Sequence, residues 1–284
     1  MFQLRDIFNQ VKASLTPLFG NLEAESLTFI LLEHFLDARR IDLIQQKTIP
    51  ALPEEFEVAI KRLLQHEPVQ YIIGKAPFYG YEYLVEPAVL IPRNETEELV
   101  HWMLERYKFG KYRLLDIGTG SGCIPITLAL ENPEAEVFGI DVSEAALEVA
   151  VKNSQKLSAS VQWFQLDILI DDIPVSNLDA VVSNPPYVRS SEKALMSPNV
   201  VEYEPHLALF VPDEDALLFY RVISQKAKKA LKPHGRIYFE INEALGPEVV
   251  ELLVREGYTA VKLKEDINGK HRMVSGQLAS PEVE

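Results

Sequence analysis

Toward the N-terminus, apolar residues recur at helical spacing. Leu4, Ile7, Phe8, Val11 and Leu15 form one stripe, and Leu27, Ile30, Leu31, His34 and Phe35 form another. A short piece beginning at Asp42-Leu43-Ile44 stops near Pro50, and Phe56, Ile60, Leu63 and Leu64 mark a further helix that ends before Pro68. Recurrence at three and four residues puts side chains on one helix face, so the stripes read as packing surfaces. With no strand signal in this stretch, the pattern predicts a small helical domain over 1–70. The texture then changes to Tyr71-Ile72-Ile73-Gly74, Phe78-Tyr79-Gly80-Tyr81-Glu82-Tyr83 and Val89-Leu90-Ile91-Pro92. Aromatic and β-branched residues broken by Gly and Pro predict a β-hairpin linker over 71–93.

Beyond it, Glu95-Thr96-Glu97-Glu98-Leu99-Val100 opens a helix, and from Tyr112 onward strand and helix patterns alternate. Strands are predicted at Arg113–Asp116, Glu136–Asp141, Val161–Asp167, Leu178–Ser183, Arg236–Ile241, Thr259–Leu263 and Arg272–Ser275. Helices are predicted near Cys123–Glu131, Glu144–Leu157, Ala216–Leu231 and Pro247–Glu256. Such alternation implies an α/β domain over 94–279, with a mostly parallel sheet covered by helices on both faces. Residues 280–284 read as a loose tail.

Composition narrows the partners. The chain has 284 residues, 47% of them hydrophobic, and a net charge of −14, with no basic stripe. Proteins that depend on phosphate contacts carry clustered Lys and Arg, so direct nucleic-acid binding is not expected. Cys123 is the only cysteine, which excludes an intrachain disulfide and fits a reducing, cytoplasmic setting. Met1-Phe2-Gln3-Leu4-Arg5-Asp6 does not read as a signal peptide, and no apolar run approaches the ~18 residues that span a bilayer. His34, His66, His101, His206, His234 and His271 show no ligand spacing, so no metal is expected.

Candidate chemistry gathers at predicted strand ends. Asp116-Ile117-Gly118-Thr119-Gly120-Ser121-Gly122 lies between the first strand and first helix of the α/β part. Glycines there let the chain turn sharply and let a ligand press on the main chain. The dinucleotide pattern G-x-G-x-x-G would need glycine where Cys123 stands. The spacing Asp-x-Gly-x-Gly-x-Gly better suits S-adenosylmethionine, with Asp116 facing its ammonium group directly or through water. Asp141 ends the second strand, where a carboxylate can receive both ribose hydroxyls or, alternatively, cap the following helix. Asp167 and Ile168 end the third strand, placed to accept from an adenine amino group and to cover its ring; a solvated turn is the alternative for Asp167.

The fourth strand runs into Ser183-Asn184-Pro185-Pro186-Tyr187. The Asn184 side-chain oxygen and the Pro185 carbonyl can both accept from one planar NH2 group. Pro185 and Pro186 fix φ and hold those acceptors in place, while Tyr187 offers a flat face to a flat group. The site suits reaction at an amide or amino nitrogen. A tight turn leaving a strand is the bland alternative, and convergence of four strand ends on one crevice argues against it.

Taken together, the chain resembles the HemK-type protein-(glutamine-N5) methyltransferases that modify peptide chain release factors. The likeness covers nearly its whole length. It rests on Glu67-Pro68-Val69-Gln70-Tyr71-Ile72-Ile73-Gly74, Phe78-Tyr79-Gly80, Ile91-Pro92-Arg93-Asn94-Glu95-Thr96-Glu97, the glycine loop, Ser183-Asn184-Pro185-Pro186-Tyr187-Val188 and Glu204-Pro205-His206-Leu207-Ala208-Leu209. Asn94 and Ala216 depart from the family, which often has Pro and Gly there. The resemblance implies a helical N-terminal domain that recognises a release factor, a hairpin linker and a seven-stranded class I methyltransferase domain. It also implies a Gly-Gly-Gln glutamine of class I release factors as target and S-adenosylhomocysteine as product. Arg93 is a candidate to help close the cofactor pocket, with a surface or structural role as the alternative. Other functions to weigh are an amino-methyltransferase of DNA adenine or cytosine, methylation of a ribosomal-protein glutamine, and a binding module without catalysis.

Overall fold

The computed structural model describes residues 1–279; the tail predicted at 280–284 lies outside them. The chain divides into two compact units, one comprising Met1–Lys75 with Ser197–Tyr203, the other Ala76–Met196 with the described residues from Glu204 onward.

The second unit is built on seven strands: β1 (Arg113–Ile117), β2 (Glu136–Asp141), β3 (Val161–Gln165), β4 (Leu178–Ser183), β5 (Leu231–Glu240), β6 (Tyr258–Glu265) and β7 (His271–Leu278). They form one sheet in the order β6-β7-β5-β4-β1-β2-β3. Every pairing is parallel except those of β7, which runs antiparallel to both β5 and β6. This is the mostly parallel α/β sheet that the alternation predicts. Helices are α1 (Asn94–Tyr107), α2 (Cys123–Glu131), α3 (Glu144–Leu157), α4 (Leu218–Ala230) and α5 (Gly246–Arg255).

Because consecutive strand residues face opposite sides, each central strand feeds two cores. Leu115, Val181 and Phe239 face a core completed by Tyr220, Ile223 and Ala227 of α4 and Val249, Leu252 and Leu253 of α5. Their neighbours Leu114, Val182 and Tyr238 face another, completed by Leu99 and Met103 of α1 and Ile124, Ile126 and Leu128 of α2. Burial on both faces explains the adjacent apolar residues Leu114-Leu115 of β1 and Ala180-Val181-Val182 of β4. Fully burying one such aliphatic or aromatic side chain contributes roughly 1.5–3 kcal/mol.

The hairpin joins Lys75–Phe78 to Tyr81–Leu84. Tyr79 and Gly80 take φ of 51° and 80° at its turn, the two positive values that a tight turn between twisted strands requires. Tyr71-Ile72-Ile73, strand-like in composition, instead lies in a helix, Val69–Ile73. Pro68 precedes that helix and Gly74, at φ 71°, closes it, so the flanking residues outweigh the β-branched content.

In the first unit the two predicted stripes share one helical stretch, Leu4–Leu36, broken at Gly20 (φ 74°, ψ 170°). Leu4, Ile7, Val11 and Leu15 are buried as expected. In the second half the buried face is Ala24, Leu27, Thr28, Leu31 and Leu32, while His34 is exposed. A pair of two-residue strands, Phe2–Gln3 against Thr48–Ile49, also stands where no strand was expected, too short for any period to be read. Among the described residues no helix is long and apolar enough to cross a membrane.

Candidate active site

The strand order reverses between β1 and β4, and in open α/β sheets ligands bind beyond the carboxyl ends of the strands at such a point. The glycine loop leaves β1 here. Backbone N–H groups of Gly118 and Thr119 donate to the carbonyl of Ile140 at 2.9 and 3.0 Å, folding the loop against β2. Gly120 has φ 52°, and a Cβ built on it would meet nothing within 4 Å, so the main chain is open to a ligand. Gly122 differs: a Cβ there would press on Ile126 at 2.9 Å and on Ala150 and Trp163 at 3.1 Å.

Asp141 stitches this loop to the start of α3. Its Oδ2 accepts from Gly120 N at 2.8 Å and its Oδ1 from Ser143 N at 2.9 Å. Ser143, not Asp141, caps α3, accepting from Ala146 N at 3.2 Å. A carboxylate has about four acceptor positions, so each Asp141 oxygen keeps capacity for a ligand hydroxyl. Burial raises the Asp141 pKa above the ordinary range, opposed by the backbone N–H groups.

Asp116 is 1% exposed. Neither of its oxygens, nor the Thr119 hydroxyl, has a partner with hydrogen-bond geometry among the described residues. Burial pushes the Asp116 carboxyl up to about 7; the nearby Thr119 hydroxyl opposes the shift and the Asp141 charge adds to it. Behind the loop, the fully buried Asn153 of α3 accepts from Leu84 N at 2.6 Å and donates to Leu84 O at 3.0 Å and Ser121 O at 2.9 Å. The hairpin and the glycine loop thereby share one side chain.

At the end of β4, Ser183 Oγ donates to the carbonyl of Ile117 at 2.6 Å, tying the two central strand ends together. Asn184 follows. Its Nδ2 donates to Thr96 Oγ1 at 3.2 Å, and Thr96 Oγ1 donates to Glu240 Oε2 at 2.6 Å. The Tyr187 hydroxyl donates to Glu240 Oε1 at 3.4 Å. No donor among the described residues engages Asn184 Oδ1. Pro185 is buried, and Pro186 and Tyr187 are half-buried. Glu240 is 1% exposed, and burial pushes its carboxyl up to about 7 against the pull of Thr96 and Arg272. Burial, then the Glu240 charge, raises the Tyr187 phenol.

Three proteins named release factor glutamine methyltransferase are similar over almost the entire chain. The one from Flavobacterium psychrophilum is 42% identical, over 95% of this chain and 98% of its own. That of Bacteroides thetaiotaomicron is 41% identical, over 93% and 96%. That of Bacillus subtilis is 37% identical, over 95% and 97%. The chain belongs to the release factor glutamine methyltransferase family.

Within this family, residues 12–74 match the PrmC N-terminal domain and 95–202 the methyltransferase small domain. A methyltransferase crystal structure from Pyrococcus furiosus shares the fold, with a TM-score of 0.54 at 17% identity over 78% of this chain and 98% of that one. The resemblance to HemK-type methyltransferases drawn from the motifs therefore holds.

Of the site residues predicted from sequence, the structure gathers Asp116, the glycine loop with Thr119 and Ser121, Asp141 and the Asn184–Tyr187 run around β1, β2 and β4. Asp167 lies past β3 in a turn of its own, with Oδ1 accepting from Leu169 N at 2.9 Å and its N–H donating to Asp171 Oδ2 at 3.0 Å. Ile168 is buried in the core beneath α4 and α5. Arg93 pairs with the buried Glu204 at 2.5 Å, and Glu204 also accepts from Ile91 N at 3.2 Å. Thr96 and Glu240 were missed as site residues. Signals for them exist: a hydroxyl inside the Glu-Thr-Glu motif, and a carboxylate inside the apolar run Ile237–Ile241.

Proposed function

We propose that this protein transfers the methyl group of S-adenosylmethionine to the side-chain amide nitrogen of the glutamine in the Gly-Gly-Gln loop of class I peptide chain release factors, acting in the cytoplasm. The observation that carries the reading is Asn184, beside the strand that carries Asp116: its Nδ2 donates to Thr96, and no donor among the described residues takes its oxygen. The names of the relatives support the same substrate class.

The residues present fit the cofactor. Asp116 supplies two buried, unpartnered acceptors for an ammonium group, Asp141 retains acceptor capacity for ribose hydroxyls, and Gly120 leaves the loop backbone open. Arg93, held by Glu204, would brace the Ile91-Pro92-Arg93 segment rather than touch the cofactor; Asp167 and Ile168 would border the adenine. When bound, S-adenosylmethionine supplies an electrophilic methyl group on a sulfonium and leaves as the thioether S-adenosylhomocysteine.

A carboxamide nitrogen is a poor nucleophile because its lone pair is delocalised into the carbonyl. Asn184 Oδ1 and the Pro185 carbonyl would accept its two N–H bonds and aim the lone pair at the methyl carbon. As the C–S bond breaks and the C–N bond forms, positive charge moves onto nitrogen, where two fixed acceptors stabilise it. The nitrogen then loses one N–H proton to solvent. Tyr187 would cover the amide plane, and positioning itself supplies several kcal/mol. The test is mass spectrometry of a purified release factor incubated with the protein and S-adenosylmethionine. A gain of ~14 Da on the Gly-Gly-Gln glutamine is expected; methylation elsewhere, or none, overturns the reading.

A further inference from the structure

Asn184 is joined to two buried groups that lie far from it in sequence. Thr96, 3% exposed, stands in the first turn of α1, and Glu240, 1% exposed, ends β5, which pairs with β4 through Phe239 and Ser183. We propose that Thr96 and Glu240 are positioning residues that set the polarity of the Asn184 carboxamide, so that its oxygen and not its NH2 faces the substrate nitrogen. The proposal rests on the amide-clamp reading above and deepens it.

The oxygen and nitrogen of a carboxamide are nearly equal in size, so packing alone does not choose between its two orientations; hydrogen-bond polarity does. Above its raised pKa of about 7 Glu240 is ionised, and an ionised carboxylate only accepts. Facing Thr96 Oγ1 at 2.6 Å, Glu240 therefore takes the single hydroxyl proton. Thr96 Oγ1 is left with lone pairs alone, so the Asn184 atom 3.2 Å away must be a donor, its Nδ2. Oδ1 is then turned to the crevice. With the relay reversed, Asn184 would present N–H groups to a nitrogen that itself carries two, and the clamp would repel its substrate. Tyr187, donating to the other Glu240 oxygen, ties the aromatic face to the same carboxylate. Around Glu240, Arg272 favours the ionised form, while burial and Glu95 oppose it.

A merely structural cluster and a polarity relay differ in what they do to turnover. Thr96→Val keeps the β-branched shape and removes the hydroxyl, and Thr96→Ser keeps the hydroxyl. With cofactor affinity and thermal midpoint checked first, Thr96→Val is expected to lower kcat for release-factor methylation about 10–100-fold. Cofactor Kd should stay within about twofold, and Thr96→Ser should return to near wild-type kcat. In an Asn184→Ala background Thr96→Val should cost nothing more, because it acts through Asn184. Wild-type kcat in Thr96→Val, or an undiminished loss in the Asn184→Ala background, overturns the proposal. Should Thr96→Val not fold, Thr96→Ala carries the same arms without added bulk. A readout that needs no substrate separates this proposal from the functional reading. In protein labelled with 15N-asparagine, the Asn184 NH2 is expected to be protected from hydrogen exchange in wild type and Thr96→Ser, and unprotected in Thr96→Val. Protection without any glutamine methylation would remove the substrate reading and leave the relay standing; an unprotected wild-type NH2 would overturn the relay.

Discussion

The ends of β1 and β4 are neighbours in the sheet, yet they treat their polar groups in opposite ways. At β1, Asp116 and the Thr119 hydroxyl are enclosed without partners among the described residues. At β4, Asn184 is the first member of a chain that runs through Thr96 to Glu240 and is joined there by Tyr187. Unsatisfied buried acceptors are expensive, and a satisfied network is rigid. The first arrangement is left open; the second is wired in advance. That division suits a cofactor that must bring its own charge and a neutral amide that must be oriented rather than attracted.

The most damaging blow to this contrast is expected from Asn184→Ala. Losing one preorganised hydrogen-bonding group at a site of developing charge costs about 10²–10³ in kcat. Isothermal titration should show cofactor Kd nearly unchanged, because the β1 end is untouched. Asp116→Asn strikes the other side. Loss of a charge-assisted contact should weaken cofactor binding about 10–100-fold. The same change should raise the thermal midpoint of the ligand-free protein. Burial lifts Asp116 to about 7, so the folded state holds its proton more tightly than the unfolded chain. That stability is fully present below the unfolded carboxylate range, about pH 4, and is lost as pH rises through about 7. A neutral Asn escapes the loss, so its advantage should be greatest near pH 8 and shrink toward pH 4. Gly120→Ala should destabilise by about 1–2 kcal/mol, measured by chemical denaturation, because an L residue is strained at that loop's positive φ. The mildest effect is that of pH on the native protein. Between pH 6 and 8 cofactor affinity should rise by up to about tenfold as Asp116 ionises, a slope that Asp116→Asn should abolish.

Much of the sheet is legible in the sequence. Glu136–Asp141, Leu178–Ser183, Cys123–Glu131 and Glu144–Leu157 agree with the observed elements end to end, because adjacent apolar residues mark buried parallel strands and a glycine or capping serine marks the helix starts. Asp116 was legible because it breaks the apolar run of β1, and Asn184 because it follows that of β4. Thr96 and Glu240 were not, since 144 positions separate them; the adjacency of β5 to β4 brings Glu240 to Asn184, and α1 brings Thr96. Local composition also misled at Tyr71-Ile72-Ile73, where strand-forming side chains sit in one helical turn between Pro68 and Gly74.

Asn153 joins the arm at Leu84 to the turn at Ser121 with three hydrogen bonds from one amide. The arm and the turn are thus mechanically one piece: a tug on either is felt by the other. Remodelling the arm by insertion or grafting would have to preserve these three bonds, or the glycine loop would loosen from behind.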